Sequence, residues 1–143
     1  MEFGYTDEQL EIERAVTAIC KRFDADYWRT KDRDGGFPLD FHAAFAQAGW
    51  LGIAMPVEVG GAGLGITEAA IMMRTISASG AGISGASAIH LSIIGLHPVV
   101  VNGTTEQKQR WLPPLIAGQH KACFATPPLP ALFAPLYEPI RVL

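Results

Sequence analysis

Residues 75–105 read TISASGAGISGASAIHLSIIGLHPVVVNGTT and contain no aspartate, glutamate, lysine or arginine. Most of the charge lies elsewhere, and 15 of the 25 charged residues fall within residues 2–34. A helix without a charged or polar face is normally covered by protein on most sides. The uncharged stretch therefore predicts a pair of helices at the centre of a helical fold, covered in part by another domain or subunit.

An apolar run of this length also raises the question of a membrane span, which takes about 20 apolar residues. Serines and glycines are spread through the run, together with His90, His97 and Pro98. These polar groups and breaks disfavour insertion into a bilayer. We expect buried helices and no membrane segment.

The composition narrows the class of protein further. The chain has 143 residues, a net charge of −3 and 49% hydrophobic residues, which fits one domain or one part of a larger protein. A mildly acidic chain lacks the basic footprint of a nucleic-acid binder. Cys20 and Cys123 belong to no CxxC pair, so neither a disulfide framework nor a structural zinc site is expected. The first residues do not resemble a targeting signal, which predicts a cytoplasmic location.

Two capping boxes predict helix starts. The motifs TDEQ at residues 6–9 and TTEQ at residues 104–107 place a threonine hydroxyl and a glutamine side chain at the required spacing. Apolar residues at helical spacing extend the first helix over residues 6–23. Residues 24–34 are polar and mixed, and Gly35-Gly36 closes this stretch. Pro113-Pro114 is expected to interrupt the last helix near Leu112.

Glycines and prolines bound the remaining helices. Pro38 suits the first turn of a helix that ends at Gly49. Thr67 is expected to cap a helix that continues to about residue 79, and a helix over residues 82–96 follows and is ended by Pro98. No alternating strand pattern occurs before residue 120, so the predicted fold class is all-α.

The glycine-rich stretch at residues 60–65, GGAGLG, has two interpretations. Closely spaced glycines let backbone amides approach a phosphate at a helix N-terminus. In the dinucleotide-binding pattern, however, Ile66 or Glu68 would stand where the third glycine belongs, and no Lys-Ser or Lys-Thr follows. We interpret the stretch as a structural turn.

The other candidate groups do not form a reactive constellation. His90 and His97 would share a helix face but have no cysteine or carboxylate close in sequence, so no metal site is predicted. Glu68 suits the first turn of a helix, where the helix dipole favours an acid. Ser84 and Ser87 have no recognisable base. No catalytic residue is predicted within this chain.

The end of the chain changes character. Five of the 18 residues in 126–143 are proline, which rules out a long helix or a central strand there. We expect a helical domain over residues 1–125 and an irregular proline-rich tail over residues 126–143.

Several separated motifs, taken together, resemble the N-terminal helical domain of the acyl-CoA dehydrogenase family. They occur in the family's order over about residues 3–125, after an acidic first helix. The motifs are AGWLGIAMP at residues 48–56, PVEVGGAGL at residues 56–64, GTTEQKQRWLP at residues 103–113 and GQHKACFA at residues 118–125.

The resemblance implies a three-part flavoprotein oxidoreductase of fatty acid metabolism, homo-oligomeric in its full-length form. In such enzymes this helical domain precedes a β-domain and a C-terminal helical bundle, and FAD binds between the last two. A glutamate of the C-terminal part removes the α-proton of an acyl-CoA thioester while the β-hydrogen leaves as hydride, and electrons pass to an electron-transfer flavoprotein. The helical domain helps to exclude water from the acyl chain.

The resemblance also suggests site residues. Phe124 corresponds to an aromatic position of the family and Thr126 to a threonine that contacts the flavin. The helix over residues 82–96 would face the acyl chain, because its small side chains leave room for an aliphatic ligand. Close helix packing is an equal alternative explanation for those small residues. The predicted acyl-pocket residues are Ser84, Gly85, Ala88 and Ile89.

The chain departs from the family after residue 126. The family continues into Thr-Glu-Pro and a Gly-Ser-Asp element, whereas this chain has Pro127-Pro-Leu-Pro130. The switch is typical of a frameshift, altered splicing or a truncated gene model. We therefore expect the chain to be inactive alone and to bind no flavin tightly. The alternatives are a non-catalytic helical interaction module and, third, a membrane-associated helical protein.

Overall fold

A computed structural model of the chain describes residues 4–122, which form seven α-helices joined by short turns and contain no strand. The all-α class is therefore confirmed. The proline-rich tail lies outside the described residues, as do Phe124 and Thr126. The helices are α1 (Asp7–Cys20), α2 (Ala25–Asp34), α3 (Leu39–Gln47), α4 (Ile66–Ile76), α5 (Gly82–Ile94), α6 (His97–Asn102) and α7 (Thr105–Ile116).

Both predicted capping boxes are formed. The Thr6 hydroxyl accepts from the Gln9 amide at 3.2 Å, and the Thr6 amide donates to Gln9 Oε1 at 3.1 Å. Thr104 and Gln107 repeat the arrangement at the start of α7. These bonds satisfy amides that the first turn of a helix leaves without partners.

The polar stretch of residues 24–34 forms the helix α2. The Asp24 carboxylate caps it by accepting from the Tyr27 amide at 2.9 Å. Trp28 is the buried residue of this otherwise polar helix, and its ring lies 5.0 Å from that of Phe41. Periodicity gave no signal for this helix because one buried indole anchors a segment that has no apolar stripe of its own.

The start of α4 also differs from the prediction. The helix begins at Ile66, and Gly65 occupies the capping position that was assigned to Thr67. Glycine offers no side-chain acceptor, but the Glu68 carboxylate accepts from the Gly65 amide at 3.0 Å. A carboxylate in the third helical position supplies half of a capping box.

The prolines interrupt less than expected. Pro98 lies in the first turn of α6, where its missing N–H removes no helical hydrogen bond. Pro113 and Pro114 lie inside α7, which continues to Ile116. The prediction of an interruption was wrong because the last turns bury Leu112 and Leu115 completely, and such burial outweighs the local preference.

Two apolar clusters hold these helices together. The larger one contains residues of all five helices from α1 through α5, and α1 packs mainly on α4. It includes an aromatic cluster of Phe23, Trp28, Phe41 and Phe45. The smaller one joins α6, α7 and the short 3-10 turns Trp50–Gly52 and Val57–Val59. Its buried members are Met55, Val59, Leu96, Leu112, Leu115, Ile116 and Ala122.

The helices from α4 to α6 form a nearly continuous apolar run, Ile66–Asn102, of 37 residues. By length and composition alone it meets the criteria for a membrane span, with a mean hydropathy of 1.5 in its most apolar window. The run is broken by non-helical backbone at Gly80, and 44% of that window is buried inside the protein. Core helices of soluble proteins meet the same criteria, so the run is weak support for a membrane segment.

Candidate functional site

The inner side of α5 lies against the rest of the domain. Ile89 is completely buried in the larger apolar cluster, and Ala88 is buried as well. Gly85 lies against Ala81 and Trp28: a Cβ added at Gly85 would lie 2.5 Å from Ala81 Cβ and 3.1 Å from Trp28 Cη2. The absence of a side chain at Gly85 is therefore required for α5 to pack closely against Ala81 and against Trp28 of α2.

Ser84 is the predicted pocket residue that borders open space. It is exposed and lines a cleft of about 450 Å³ between α2 and the turn Ser77–Ala81. Trp28 and Gly80 contribute to the walls, and Lys31 and Asp32 lie at the same cleft. The structure thus separates Ser84 from Gly85, Ala88 and Ile89, which are covered by the domain itself. An acyl pocket formed by these residues stays a prediction.

The outer face of α5 is a stripe of exposed or half-buried residues that contains no charged side chain. At 100° per residue its members fall on one side of the helix. Ile83 is 82% exposed and Leu91 37% exposed, so two aliphatic side chains of this stripe are in contact with solvent. The outer face consists of Ile83, Ser84, Ser87, His90, Leu91 and Ile94.

The glycine-rich loop directs its amides into the protein. The amides of Ala62 and Gly63 donate to Gly52 and Met55 carbonyls at 2.9 Å and 2.8 Å, and the Leu64 amide donates to Ile53 at 3.0 Å. The Gly61 amide donates to the Pro56 carbonyl at 3.0 Å. These donors are unavailable to a phosphate group, so the loop acts as a structural turn.

The remaining sequence candidates have structural roles or no partners that would make them reactive. The pKa of Glu68 is lowered, chiefly by a hydrogen bond from Gln9 Nε2 and also by the amides at the start of α4, so this carboxylate is a charged cap. His90 and His97 are exposed. Within residues 4–122 no group of three potential metal ligands is assembled.

A buried pair of polar side chains was not found by sequence reasoning. His42 Nε2 lies 3.1 Å from Ser92 Oγ and connects α3 to α5, and both residues are buried. The only sequence signal was the position of His42 beside the apolar stripe of α3. Neither residue lines the cleft beside α2, and their hydrogen bond fixes the contact between the two helices.

This pair predicts a loss of stability in mild acid. Burial, and secondarily the charge of Lys121, lower the pKa of His42 below its ordinary value. The unfolded chain therefore binds this proton at a higher pH than the folded chain does. Stability should be complete above the ordinary pKa of about 6.5 and fall as the pH drops toward the lowered value.

Urea unfolding at several pH values, followed by circular dichroism, tests this prediction. The stability difference between the native chain and His42→Gln should shrink or reverse in acid, because the glutamine does not titrate. His90→Gln, at an exposed position of α5, is the control and should follow the native pH curve. Parallel curves for the native chain and His42→Gln would contradict the role of His42.

Residues 4–122 thus form a helical domain with an exposed, uncharged face on α5 and no group of three potential metal ligands. The family model of the acyl-CoA dehydrogenase N-terminal domain matches residues 6–119. The chain therefore belongs to the acyl-CoA dehydrogenase family and carries its N-terminal domain.

Two relatives show what share of a longer family member this chain covers. A mitochondrial isovaleryl-CoA dehydrogenase of Solanum tuberosum is 32% identical over 123 residues, which cover 85% of this chain and 30% of the relative. An acyl-CoA dehydrogenase of Bacillus subtilis is 27% identical over 120 residues, covering 84% of this chain and 31% of the relative. This chain thus spans about a third of the length of these relatives.

Solved structures have the same fold. The electron transferring flavoprotein of Acidaminococcus fermentans, described in connection with flavin-based electron bifurcation, gives a TM-score of 0.73 at 27% identity, over 85% of this chain and 32% of that one. The FAD complex of PigA gives a TM-score of 0.76 at 17% identity, also over 85% of this chain and 32% of that one. The second likeness shows the fold alone.

Proposed function

We propose that this chain is the substrate-enclosing helical domain of a flavin-dependent acyl-CoA dehydrogenase and that it oxidises no acyl-CoA by itself. The observation that carries the proposal is the uncovered, uncharged outer face of α5 in a domain that belongs to this family. The proposal is also supported by the two relatives, an isovaleryl-CoA dehydrogenase and an acyl-CoA dehydrogenase, which match 85% and 84% of this chain.

The complete enzyme would remove a proton and a hydride from adjacent carbons of an acyl-CoA thioester. FAD supplies the hydride acceptor when bound, and an electron-transfer flavoprotein would take the electrons onward. The glycine-rich loop does not fit the phosphates of FAD, because its amides donate to the protein's own carbonyls. Phe124 and Thr126, the suggested flavin contacts, lie outside the described residues.

The contribution of this chain would be to enclose the acyl chain. The outer face of α5 offers aliphatic surface and serine hydroxyls without a charge that would retain water. Excluding water from the reacting carbons raises the basicity of a nearby carboxylate and protects the reduced flavin. Ser84 is the position of this face where added volume would reach a ligand that lies along α5, because its side chain is exposed.

A chimeric enzyme tests this assignment. Residues 4–122 would replace the corresponding domain of the Bacillus subtilis acyl-CoA dehydrogenase, and the chimera should bind FAD and oxidise acyl-CoA substrates. In the chimera, Ser84→Phe should lower kcat/KM for long acyl chains by about tenfold relative to short ones, because the ring removes space that a few methylenes occupy. FAD content should be unchanged.

Two controls make the result specific. Ile66→Phe, at an exposed apolar position that begins α4, should leave the chain-length preference unchanged. Gly85→Phe is unsuitable, since any side chain there collides with Ala81. The isolated chain should retain no flavin through gel filtration, and turnover by it with an artificial acceptor would overturn the claim of inactivity. Lower stability of Ser84→Phe without a change in acyl preference would assign Ser84 to helix packing.

The exposed face of α5 also favours a second candidate function, a non-catalytic helical interaction module. Exposed contiguous apolar surface is typical of protein-binding sites. The chimera separates the two candidates, because an interaction module would not restore FAD binding and turnover to a dehydrogenase that lacks its first domain.

A further inference from the structure

Asn102 is the sole asparagine of the sequence, and the residue that follows it is a glycine. Asparagine is among the chemically labile residues of proteins. Its side-chain carbonyl carbon is within reach of the backbone nitrogen of the next residue, and a glycine there leaves the approach free of a Cβ. The pair Asn102-Gly103 therefore has the composition in which an asparagine side chain is attacked most readily by its own backbone.

The structure places this pair at an exposed helix end with little burial. Asn102 is exposed and is the last residue of α6, which has six residues and none that is buried. Each of the other six α-helices of residues 4–122 buries at least one residue. Val101, just before Asn102, is 61% exposed. A short helix with so little burial opens more often than the helices of the core.

Gly103 is required where it stands, and its nitrogen is held while α6 is intact. A Cβ at Gly103 would lie 2.9 Å from Val99 Cγ1 and closer still to the Val99 carbonyl oxygen. The Gly103 amide donates to that same oxygen at 2.9 Å. The nitrogen is therefore free to react only when the last turn of α6 opens.

We propose that Asn102 is a site of spontaneous deamidation whose rate is set by opening of the last turn of α6. The Gly103 nitrogen forms a bond to Asn102 Cγ, and the bond from Cγ to the side-chain nitrogen breaks. The side-chain nitrogen leaves as ammonia and takes the proton that the Gly103 nitrogen loses. Water then opens the cyclic imide at either carbonyl, which yields aspartate or isoaspartate. No oxidation or reduction takes place, and water is the co-reactant.

The modification changes the connection between α6 and α7. Either product adds a negative charge two residues before Thr104, where the dipole of α7 favours an acid. Isoaspartate also inserts a methylene group into the backbone before Gly103, which displaces the Gly103 amide from the Val99 carbonyl. Amide hydrogen exchange in α6 should therefore be faster in the isoaspartate form, while the Gln107 amide of the capping box stays protected.

Peptide mapping of the full chain tests the proposal. After incubation in mildly alkaline buffer, the tryptic fragment 75–108, which contains Asn102, should increase in mass relative to an unincubated sample. Asn102→Gln is the matched variant and should show no increase over the same time, because a glutamine must close a larger ring. A native chain that stays unmodified while a synthetic peptide of residues 97–108 is fully converted would overturn the proposal.

Two substitutions at Val101 test the control by α6. Deamidation should be about threefold slower in Val101→Ala than in Val101→Gly, because alanine stabilises a helix and glycine destabilises it. Each rate is divided by that of a synthetic peptide of residues 97–108 with the same substitution, which removes the effect of the neighbouring residue on the chemistry. Equal ratios for the two variants would show that α6 does not set the rate and would overturn the proposal.

The pair Asp34-Gly35 is an internal comparison in the same chain. Asp34 is exposed at the end of α2, but its two oxygens accept from Arg33 Nε and Nη2 at 2.6 Å and 3.0 Å. This guanidinium lowers the pKa of Asp34 and keeps the carboxylate charged, and a carboxylate is a poorer electrophile than an amide. Isoaspartate should therefore form in fragment 75–108 and not in fragment 34–74. Isoaspartate in fragment 34–74 alone would contradict the assignment to Asn102.

Discussion

Gly61→Ala is expected to lower the free energy of unfolding by about 3 kcal/mol, one of the largest effects available in this domain. A Cβ at this position would lie 2.5 Å from the Met55 carbonyl carbon and closer still to its oxygen. These are backbone atoms, so the collision is relieved only if the loop moves away. The movement would break the hydrogen bonds that Ala62 and Gly63 donate to Gly52 and Met55.

Chemical unfolding followed by circular dichroism measures this loss. Ala62→Ser, at the neighbouring exposed position, is the matched control and should unfold within about 0.5 kcal/mol of the native chain. If Gly61→Ala and Ala62→Ser unfold at the same denaturant concentration, the loop does not hold the domain together as described.

Phe41→Ala should cost about 3 to 5 kcal/mol, which is enough to unfold a domain of ordinary stability. Phe41 is completely buried, and its ring lies 5.1 Å from that of Phe23, 5.0 Å from Trp28 and 4.8 Å from Phe45. Removal of the ring leaves a cavity bordered by three aromatic side chains that belong to separate elements. These rings cannot all move inward, because each is fixed by its own helix or turn.

The unfolding midpoint and the near-ultraviolet circular dichroism of the aromatic side chains, Trp28 among them, report on this cluster. Phe37→Ala removes the same side chain from a position that is 37% exposed and should cost about 1 kcal/mol or less. Similar losses in Phe37→Ala and Phe41→Ala would show that the aromatic cluster does not form the centre of the domain.

Both substitutions affect the arrangement that positions α5. The glycine-rich loop is hydrogen-bonded to residues 52–56, and the adjoining turn Trp50–Gly52 contacts both α5 and α7. The aromatic cluster holds α2 and α3 beside α5. Neither Gly61 nor Phe41 belongs to the outer face. Their variants should therefore change stability without changing the acyl-chain preference of a folded chimera, which distinguishes the scaffold from the enclosing surface.

Features that depend on interactions between residues close in the chain could be predicted from the amino-acid sequence alone. The capping boxes at Thr6 and Thr104 are interactions between residues three apart, so they could be predicted from spacing alone. The all-α class followed from helical periodicity, and the family from several motifs in a fixed order, which the match over residues 6–119 confirms. The glycines of residues 60–65 do not have the spacing of the dinucleotide-binding pattern, which correctly predicted a turn. This spacing did not show to which carbonyls the loop amides donate.

The extent of some helices and the pairing of buried polar residues depend on contacts between distant segments, and these features are visible only in the tertiary structure. The helix α2 exists because Trp28 is buried against Phe41, and α7 continues past Pro113 because Leu115 is buried in the second apolar cluster. His42 and Ser92 are 50 residues apart, and only the contact of α3 with α5 brings them together. The spacing of residues along the chain does not show which side chains will be buried against distant segments. The free energy gained by that burial exceeds the local helix propensities on which predictions for these segments depend.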